Sequence, residues 1–246
     1  MNIIPAIDLK DGKCVRLFKG DFEQTTEYSN DPTAIARRFS NLNVEQLHVV
    51  DLDGARSGTQ VNQDIVTQIA AVSALSVQLG GGIRERADVE RWLQAGVARC
   101  VVGSVAIKEP EKVCAWITEF GSDCIVLALD IRLNDEQTPV LTTNGWTQDS
   151  GIALWDCIDA YREVGARHVL CTDVARDGAM LGPNLALYVE ILRRYPDLLL
   201  QASGGVRDID DLVELRNAGI PAAITGRALL DGKITESEVA AFRQNA

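Results

Sequence analysis

The chain has 246 residues, 46% of them hydrophobic and 24% charged, an ordinary composition for a globular protein that can bury its own core. Its formal net charge of −11 disfavours nucleic acids and anionic membranes as partners, because both would be repelled. The first residues show no basic segment followed by an apolar one, and no apolar run reaches about 18 residues. We therefore expect a cytoplasmic protein without a secretory signal or a membrane span.

The cysteines and histidines predict neither disulfides nor a metal site. None of the six cysteines forms a C-x-x-C pair, and several lie in apolar runs, which is typical of reduced, mostly buried thiols. The two histidines, His48 and His168, have no second histidine or cysteine at ligand spacing, so we interpret both as packing residues. A dinucleotide-binding glycine pattern is also absent from the sequence, and we expect no metal and no cofactor.

Eight short apolar runs rich in β-branched residues recur along the chain. Each reads as continuously apolar rather than alternating, which is typical of parallel strands buried on both faces. In chain order, the predicted strands cover residues 3–7, 46–50, 76–79, 99–102, 124–129, 168–171, 198–201 and 222–225.

Helical patterns lie between these strands. One begins at Asp31 and Pro32, which suit the cap and the first position of a helix. Eight strands alternating with helices in about 250 residues predict right-handed βαβ units closed into a (β/α)8 barrel, the TIM-barrel fold. We expect one α/β domain over residues 1–246, with a doubly wound open sheet as the alternative. Further helical patterns cover residues 88–93, 185–194 and 208–216.

Two segments are longer than the connection between a strand and a helix requires. They are residues 10–30 and residues 133–150. Long loops in compact domains often carry function, so we expect both to act as lids over a site.

The two halves of the chain match each other. The stretch P-A-I-D-L-K, which contains Asp8, is similar to L-A-L-D-I-R, which contains Asp130 at an offset of 122 residues. Further along each half, L-H-V-V-D in the first half aligns with R-H-V-L-C-T-D in the second. This alignment makes His48 the counterpart of His168. The repeat predicts two similar (βα)4 half-barrels, at about residues 1–122 and 123–246, that together form one barrel.

Glycine clusters follow four of the predicted strands, and they match in pairs. Q-L-G-G-G-I-R corresponds to Q-A-S-G-G-V-R, and V-G-S corresponds to T-G-R. Glycine lets backbone N–H groups approach an anion, and phosphate sites in such barrels lie after strands 7 and 8. We therefore expect one phosphate site there and a second after strands 3 and 4; tight turns and close helix packing are the alternative. The candidate residues are Gly81, Gly82, Arg84, Gly103, Ser104, Ser203, Gly204, Gly205, Gly226 and Arg227.

Two aspartates end the first and fifth predicted strands, on opposite sides of the barrel mouth. Asp8 and Asp130 would then face a ligand from two directions, which suits general acid and base catalysis. The expected ligand is long, with a phosphate at each end and its reacting atoms between the aspartates. A structural ion pair or a helix cap is the alternative for Asp8.

Taken together, the motifs of this sequence resemble those of one family. From residue 2 to the last helix, the chain resembles the histidine-biosynthesis isomerases of the (β/α)8 class, which act on phosphoribosylformimino-aminoimidazole carboxamide ribotide. The synthase cyclase of that pathway has a similar half-barrel repeat, but V-R-L-F-K-G-D and N-G-W look like the isomerase. The remaining motifs are I-I-P-A-I-D-L-K, Q-L-G-G-G-I-R, V-V-G-S, L-A-L-D-I-R, T-D-V-A-R-D-G-A-M-L-G-P-N and S-G-G-V-R-D.

The resemblance implies an Amadori rearrangement that converts an aminoaldose ribotide with two phosphates into its aminoketose. Asp8 would be the base and Asp130 the acid, so the pKa of Asp130 has to be raised. Thr172 would bond near the reacting carbons, Asp177 would contact the substrate and the lid, and Trp146 would stack on the imidazole.

Two arginines and the oligomeric state complete these expectations. Arg16, in the first long loop, is expected to contact a phosphate or close over the site, and Arg84 to steady the lid or the substrate. The partner is a small bisphosphorylated ribotide, and a monomer is expected. Two alternatives remain: a dual isomerase that also acts on phosphoribosylanthranilate, and a non-catalytic barrel that binds phosphosugars.

Overall fold

The structure is a computed structural model that describes residues 1–18, 20–143 and 145–244. Lys19 and Asn144, which belong to the V-R-L-F-K-G-D and N-G-W motifs, lie outside the described residues.

The described residues form twelve strands and eleven α-helices. The strands are β1 (Asn2–Lys10), β2 (Lys13–Phe18), β3 (Asp21–Ser29), β4 (Gln46–Asp51), β5 (Ser76–Gly80), β6 (Arg99–Val102), β7 (Ile125–Leu133), β8 (Pro139–Thr143), β9 (Gln148–Ala153), β10 (His168–Asp173), β11 (Leu199–Ser203) and β12 (Ala222–Thr225). The helices are α1 (Pro32–Ser40), α2 (Leu52–Ser57), α3 (Gln63–Val72), α4 (Arg86–Gln94), α5 (Ser104–Lys108), α6 (Pro110–Phe120), α7 (Leu154–Arg162), α8 (Leu185–Arg194), α9 (Ile209–Asn217), α10 (Arg227–Leu230) and α11 (Glu236–Gln244).

Eight parallel strands close into a barrel, in the order β1, β4, β5, β6, β7, β10, β11 and β12. The ring closes because β12 pairs with β1 in parallel register. The predicted (β/α)8 barrel is confirmed, and the open-sheet alternative is wrong. Around the barrel, β1 and β7 are diametrically opposite, as are β5 and β11.

Helix ends follow the chemistry read from the sequence. Pro32 begins α1, and the side chain of Asp31 accepts a hydrogen bond from the backbone N–H of Ala34. The predicted helix at residues 185–194 is α8. After α4 and α9, Gly96 and Gly219 adopt left-handed backbone conformations, which glycine reaches without a steric penalty.

The two long segments form antiparallel hairpins, which corrects the expectation that they are loops. The first hairpin consists of β2 and β3 and extends β1, whereas the second consists of β8 and β9 and extends β7. The outer strands β3 and β9 are largely exposed and therefore lack apolar runs, whereas β2 and β8 are mostly buried beside β1 and β7. As a consequence, Asp8 and Asp130 lie within β1 and β7 and do not end them.

The strand register corrects the alignment of the histidines between the two halves. His48 pairs with Ala6, two residues before Asp8, and Leu170 pairs with Ala128, two residues before Asp130. His48 therefore corresponds to Leu170. His168 instead lies at the start of β10, where its Nε2 is 3.0 Å from an Asp123 carboxylate oxygen.

The core has two layers. A large apolar layer fills the space between the strands and the surrounding helices, and it includes the fully buried Trp92, Tyr161 and Tyr188. A smaller apolar cluster fills the barrel interior, with members such as Ile4 and Val126. No helix in the described part of the chain is long and apolar enough to span a membrane.

Candidate active site

A single open cavity of about 980 Å³ occupies the mouth of the barrel, at the carboxyl ends of the parallel strands. All of the residues predicted from the sequence to form a site lie on its wall. These are Asp8, Arg16, Gly81, Gly82, Arg84, Gly103, Ser104, Asp130, Trp146, Thr172, Asp177, Ser203, Gly204, Gly205, Gly226 and Arg227.

Asp8 lies on β1 and is held by an arginine. The Arg16 guanidinium donates from Nη1 to Asp8 Oδ2 at 2.9 Å, and both side chains are nearly buried. Burial raises the pKa of Asp8 to about 6, although Arg16 acts in the opposite direction. Asp8 is therefore mostly ionised at pH 7, yet close enough to that pH to accept and release a proton.

Asp130 lies across the mouth on β7 and has uncharged hydrogen-bond donors. The indole N–H of Trp146 donates to its Oδ2 at 2.8 Å, and Thr172 on the adjacent β10 also bonds to the carboxylate. Burial raises the pKa of Asp130 above its usual value, whereas these two hydrogen bonds lower it. The raised pKa has the direction expected of a group that must carry a proton.

Arg16 links the first hairpin to the second half of the barrel. It lies on β2 and not in a loop, which corrects the sequence expectation. Its Nη2 is 3.5 Å from Asp177 Oδ1, and its guanidinium packs against Gly226, where an added Cβ would lie 3.0 Å from Cζ. The carboxylates of Asp8 and Asp177 raise the pKa of Arg16 despite its burial, so the guanidinium stays charged.

Trp146 lies at the tip of the second hairpin and reaches the first. Its backbone has φ of +71°, and a Cβ at Gly20 would lie 2.7 Å from its ring. Arg132 donates to the Trp146 carbonyl oxygen at 3.1 Å and also pairs with Asp149. The two hairpin tips therefore meet above the cavity, with the indole between them.

The glycines that follow β5 and β11 are required by close backbone packing. Gly81 and Gly204 both have positive φ, and a Cβ on either would meet the carbonyl oxygen of an aspartate, Asp51 or Asp173. The packing alternative is therefore correct in part. The same packing brings the backbone at Gly204 against Asp177, so it also shapes the cavity wall.

Two short helices begin directly after the glycines that follow β6 and β12. Gly103 and Gly226 precede α5 and α10 with nearly the same backbone angles, φ of −110° and −104°. The first residue of α5 is Ser104, whereas the first residue of α10 is Arg227, which donates to the Gly178 carbonyl oxygen at 2.8 Å.

The arginines after the two glycine clusters differ in their contacts. Arg84 Nη2 donates to the Ala55 carbonyl oxygen at 3.1 Å and lies on the cavity wall. Its repeat mate Arg207 pairs with Asp211 on α9.

Sequence reasoning missed several residues of the site. His48, interpreted as a packing residue, lines the cavity, as do Arg56 and Lys108. A repeated buried pair was also missed: Asn62 donates to Asp51 at 2.6 Å, and Asn184 donates to Asp173 at 2.8 Å. The signal was present, because both members of the pair recur at an offset of 122 residues.

The arrangement places two buried carboxylates with raised pKa on opposite walls of a cavity that also carries arginines. Such a site can bind an anionic ligand and move protons on two faces of it. Within residues 1–18, 20–143 and 145–244, no group of three or more His, Cys, Asp or Glu side chains could hold a metal ion.

The fold and the cavity define a (β/α)8-barrel protein whose candidate site lies at the carboxyl ends of the strands. Comparison with protein families shows the family to which this barrel belongs. The family model described as Histidine biosynthesis protein matches residues 2–235, nearly the whole chain. The chain belongs to this family of histidine biosynthesis proteins.

Proposed function

We propose that this chain is the aldose–ketose isomerase of the family, which converts the aminoaldose form of phosphoribosylformimino-aminoimidazole carboxamide ribotide into its aminoketose by an Amadori rearrangement. The observation that carries this proposal is the pair of buried carboxylates, Asp8 and Asp130, on diametrically opposite strands of one cavity. The enzyme would work as a monomer in the cytoplasm.

Ring opening is the first step of the proposed mechanism. Asp130, in its protonated form, gives its proton to the ring oxygen of the aminoaldose, and the sugar opens to a positively charged Schiff base. Burial supports this role because it favours the neutral carboxyl group. The hydrogen bonds from Trp146 and Thr172 hold the carboxyl group in one orientation.

Proton removal is the second step. Asp8, as a carboxylate, takes the proton from C2 of the Schiff base, and the bond electrons neutralise the nitrogen to give an enolamine. Protonation of the enolamine at C1, with loss of the proton from the hydroxyl group on C2, then yields the ketose. Arg16 supports this role because its guanidinium, 2.9 Å away, favours the ionised form of Asp8.

The two ends of the ligand would lie at the two glycine regions. After β11 and β12, Gly204, Gly205 and Gly226 line the cavity, where a phosphate would meet their backbone, and Arg227 would add positive charge. After β5 and β6, Gly81, Gly82 and Gly103 would do the same for the second phosphate, with Ser104 beside them.

An assay of the purified chain with two substrates tests the proposal. We expect conversion of the bisphosphorylated aminoaldose ribotide, and we expect Asp8→Asn to abolish it. Phosphoribosylanthranilate, which has one phosphate, distinguishes a dual isomerase from a single-substrate one. A chain that binds the ribotide without converting it would instead be a binding barrel, and the proposal would be wrong.

A further inference from the structure

The floor of the cavity is formed by five side chains that point inward from the barrel strands. We define the cavity floor as His48, Val101, Ala128, Leu170 and Ile224. Four of them are apolar, and His48 is the polar exception. Because Leu170 occupies the position of His48 in the other half, the floor is polar only on the side of β4, which is adjacent to the strand that carries Asp8.

Beneath the floor, two glutamines join opposite sides of the barrel. Gln78 Nε2 donates to Gln201 Oε1 at 2.7 Å, and Gln201 Nε2 donates back to Gln78 Oε1 at 3.0 Å. Both side chains are buried, Gln78 completely. Unpaired buried amides would be costly, so each glutamine stabilises the position of the other.

The glutamine pair also determines the state of the histidine. Gln78 Nε2 lies 3.1 Å from His48 Nδ1, so its second amide proton goes to that ring nitrogen. If both amides were reversed, one amide proton of each glutamine would have no acceptor among these three side chains, whereas in the orientation shown only Gln201 has such a proton. With the amides in this orientation Nδ1 of His48 accepts from Gln78, and we therefore assign the ring proton to Nε2.

The neutral form of His48 fits the same arrangement. Burial, together with the charge of Arg16, lowers the pKa of His48 to about 3. Its Nε2 has no hydrogen-bond partner among the described residues, although the residue lines the cavity. A ligand that reaches the floor thus meets a fixed, uncharged N–H donor.

We propose that His48 binds the substrate through Nε2–H, donating a hydrogen bond to a hydroxyl oxygen of the sugar next to Asp8, and that Gln78 and Gln201 are positioning residues that hold the ring in this tautomer. The choice of a sugar as ligand rests on the proposed function. An uncharged donor suits this place, because a charged imidazolium beside Asp8 would lower the proton affinity that the base requires.

The tautomer can be measured without any substrate. The chain has two histidines, so ¹⁵N-edited NMR of the imidazole rings gives two sets of signals, and His168→Asn assigns them. We expect His48 to remain neutral with its proton on Nε2 between about pH 5 and pH 9. A proton on Nδ1, or titration of His48 near its ordinary pKa of about 6.5, would overturn the assignment.

Three variants test the contact with the substrate. His48→Leu copies the other half of the floor and should lower kcat/KM by about tenfold, the effect of one lost hydrogen bond. His48→Gln, which keeps an N–H donor, should recover most of that loss. In Gln78→Leu/Gln201→Leu both amides are removed together, so neither is left unpaired. This variant should fold, show both His48 tautomers and lose less activity than His48→Leu, because part of the protein keeps the proton on Nε2.

The outcomes separate this inference from the proposed function. If the wild-type chain does not convert the ribotide, the proposed function fails, whereas the NMR result on His48 still stands or falls by itself. If the wild type is active and His48→Leu has the same kcat/KM, the contact with the substrate is refuted. His168→Asn, at the opposite end of the barrel, should keep wild-type activity and serves as the matched control.

Discussion

In the first half of the barrel, Asp8 is paired with the charged guanidinium of Arg16 at 2.9 Å. In the second half, Asp130 occupies the corresponding place and accepts hydrogen bonds from two uncharged groups, the indole of Trp146 and the hydroxyl of Thr172. The same backbone plan thus places one carboxylate against a cation and the other against two neutral donors, while burial raises the pKa of both. Catalysis by an acid and a base requires such an inequality, which a perfectly symmetric barrel would not provide.

The origin of the inequality lies in the two hairpins. In the first, β1 and β2 are joined through Asp11 and Gly12, both with positive φ, and this tight turn places Arg16 beside Asp8. In the second, a longer turn at residues 134–138 joins β7 and β8, and the charged residue is replaced by Trp146 from the far end of β8. The barrel is repeated, whereas the hairpins above it distinguish the halves.

The largest effect is expected from removing the carboxylate of Asp8 or of Asp130, one in each half of the barrel. Asp8→Asn and Asp130→Asn should each lower kcat by about 10³-fold, within the range for a general acid or base. Each keeps the size of the side chain, so binding of the bisphosphorylated product, measured by calorimetry, should change little. Turnover that survives in Asp8→Asn would remove that residue from the mechanism, and lost binding in Asp130→Asn would indicate a structural role.

The second prediction concerns stability and compares the two glycine clusters. A Cβ at Gly81 would lie 2.1 Å from the Asp51 carbonyl oxygen, whereas one at Gly204 would lie 3.1 Å from that of Asp173. Both positions have positive φ, which costs an alanine about 1–2 kcal/mol, but only Gly81 adds a severe clash with the backbone. We expect Gly81→Ala to lower the free energy of unfolding by about 3 kcal/mol and Gly204→Ala by about 1 kcal/mol.

Urea unfolding of both variants measures this difference. Gly96→Ala provides a control, because that residue also has positive φ but an added Cβ would meet no atom within 4 Å. Equal destabilisation of Gly81→Ala and Gly96→Ala would mean that the backbone angle, and not the approach of Asp51, sets the requirement for glycine.

The sequence predicts the barrel strands better than it predicts the contacts at the mouth of the barrel. The eight barrel strands were predictable because burial on both faces leaves continuous apolar runs, such as residues 222–225. The first hairpin was signalled too, since Asp-Gly at residues 11–12 is a typical two-residue hairpin turn, but the polar sequence of β3 hid the second half of the hairpin.

Other features of the site could not be predicted, because they depend on contacts between distant parts of the chain. The hydrogen bond from Trp146 to Asp130 depends on how the second hairpin bends. Nothing in the sequence indicates the positive φ of Trp146. The position of His48 on the cavity floor depends on strand register, which a shift of two residues in the repeat alignment had obscured.

The third prediction compares the two short helices at the cavity wall. Arg227 begins α10 with a charged side chain, whereas Ser104 begins α5 with a hydroxyl group. If both regions bind phosphate, Arg227→Ala should raise KM by about tenfold and Ser104→Ala by about threefold, because hydrogen bonds to charged groups are stronger. Steady-state kinetics gives both values, and a larger effect of Ser104→Ala would place the more tightly held phosphate in the first half.

The smallest expected effect is a shift of the pH profile, and its sign depends on the charges around Asp8. The base acts as an anion, so kcat/KM should fall as the pH drops through the pKa of Asp8, about 6. The negative charge of Asp177 raises that pKa, and Asp177 also shares the Arg16 guanidinium with Asp8. Asp177→Asn should therefore move the acid limb of the profile to lower pH, by less than about one unit.

Arg16→Met supplies the opposite sign from the same cluster. Without the guanidinium, nothing at 2.9 Å favours the anion of Asp8, and the acid limb should move to higher pH by roughly one unit. The pH at the midpoint of the acid limb is measured independently of the maximal kcat/KM. A loss of substrate binding in either variant therefore does not affect the comparison. If both variants moved the limb in the same direction, Asp8 would not be the group whose ionisation limits the rate, and the difference between the two halves would have to be sought in Asp130.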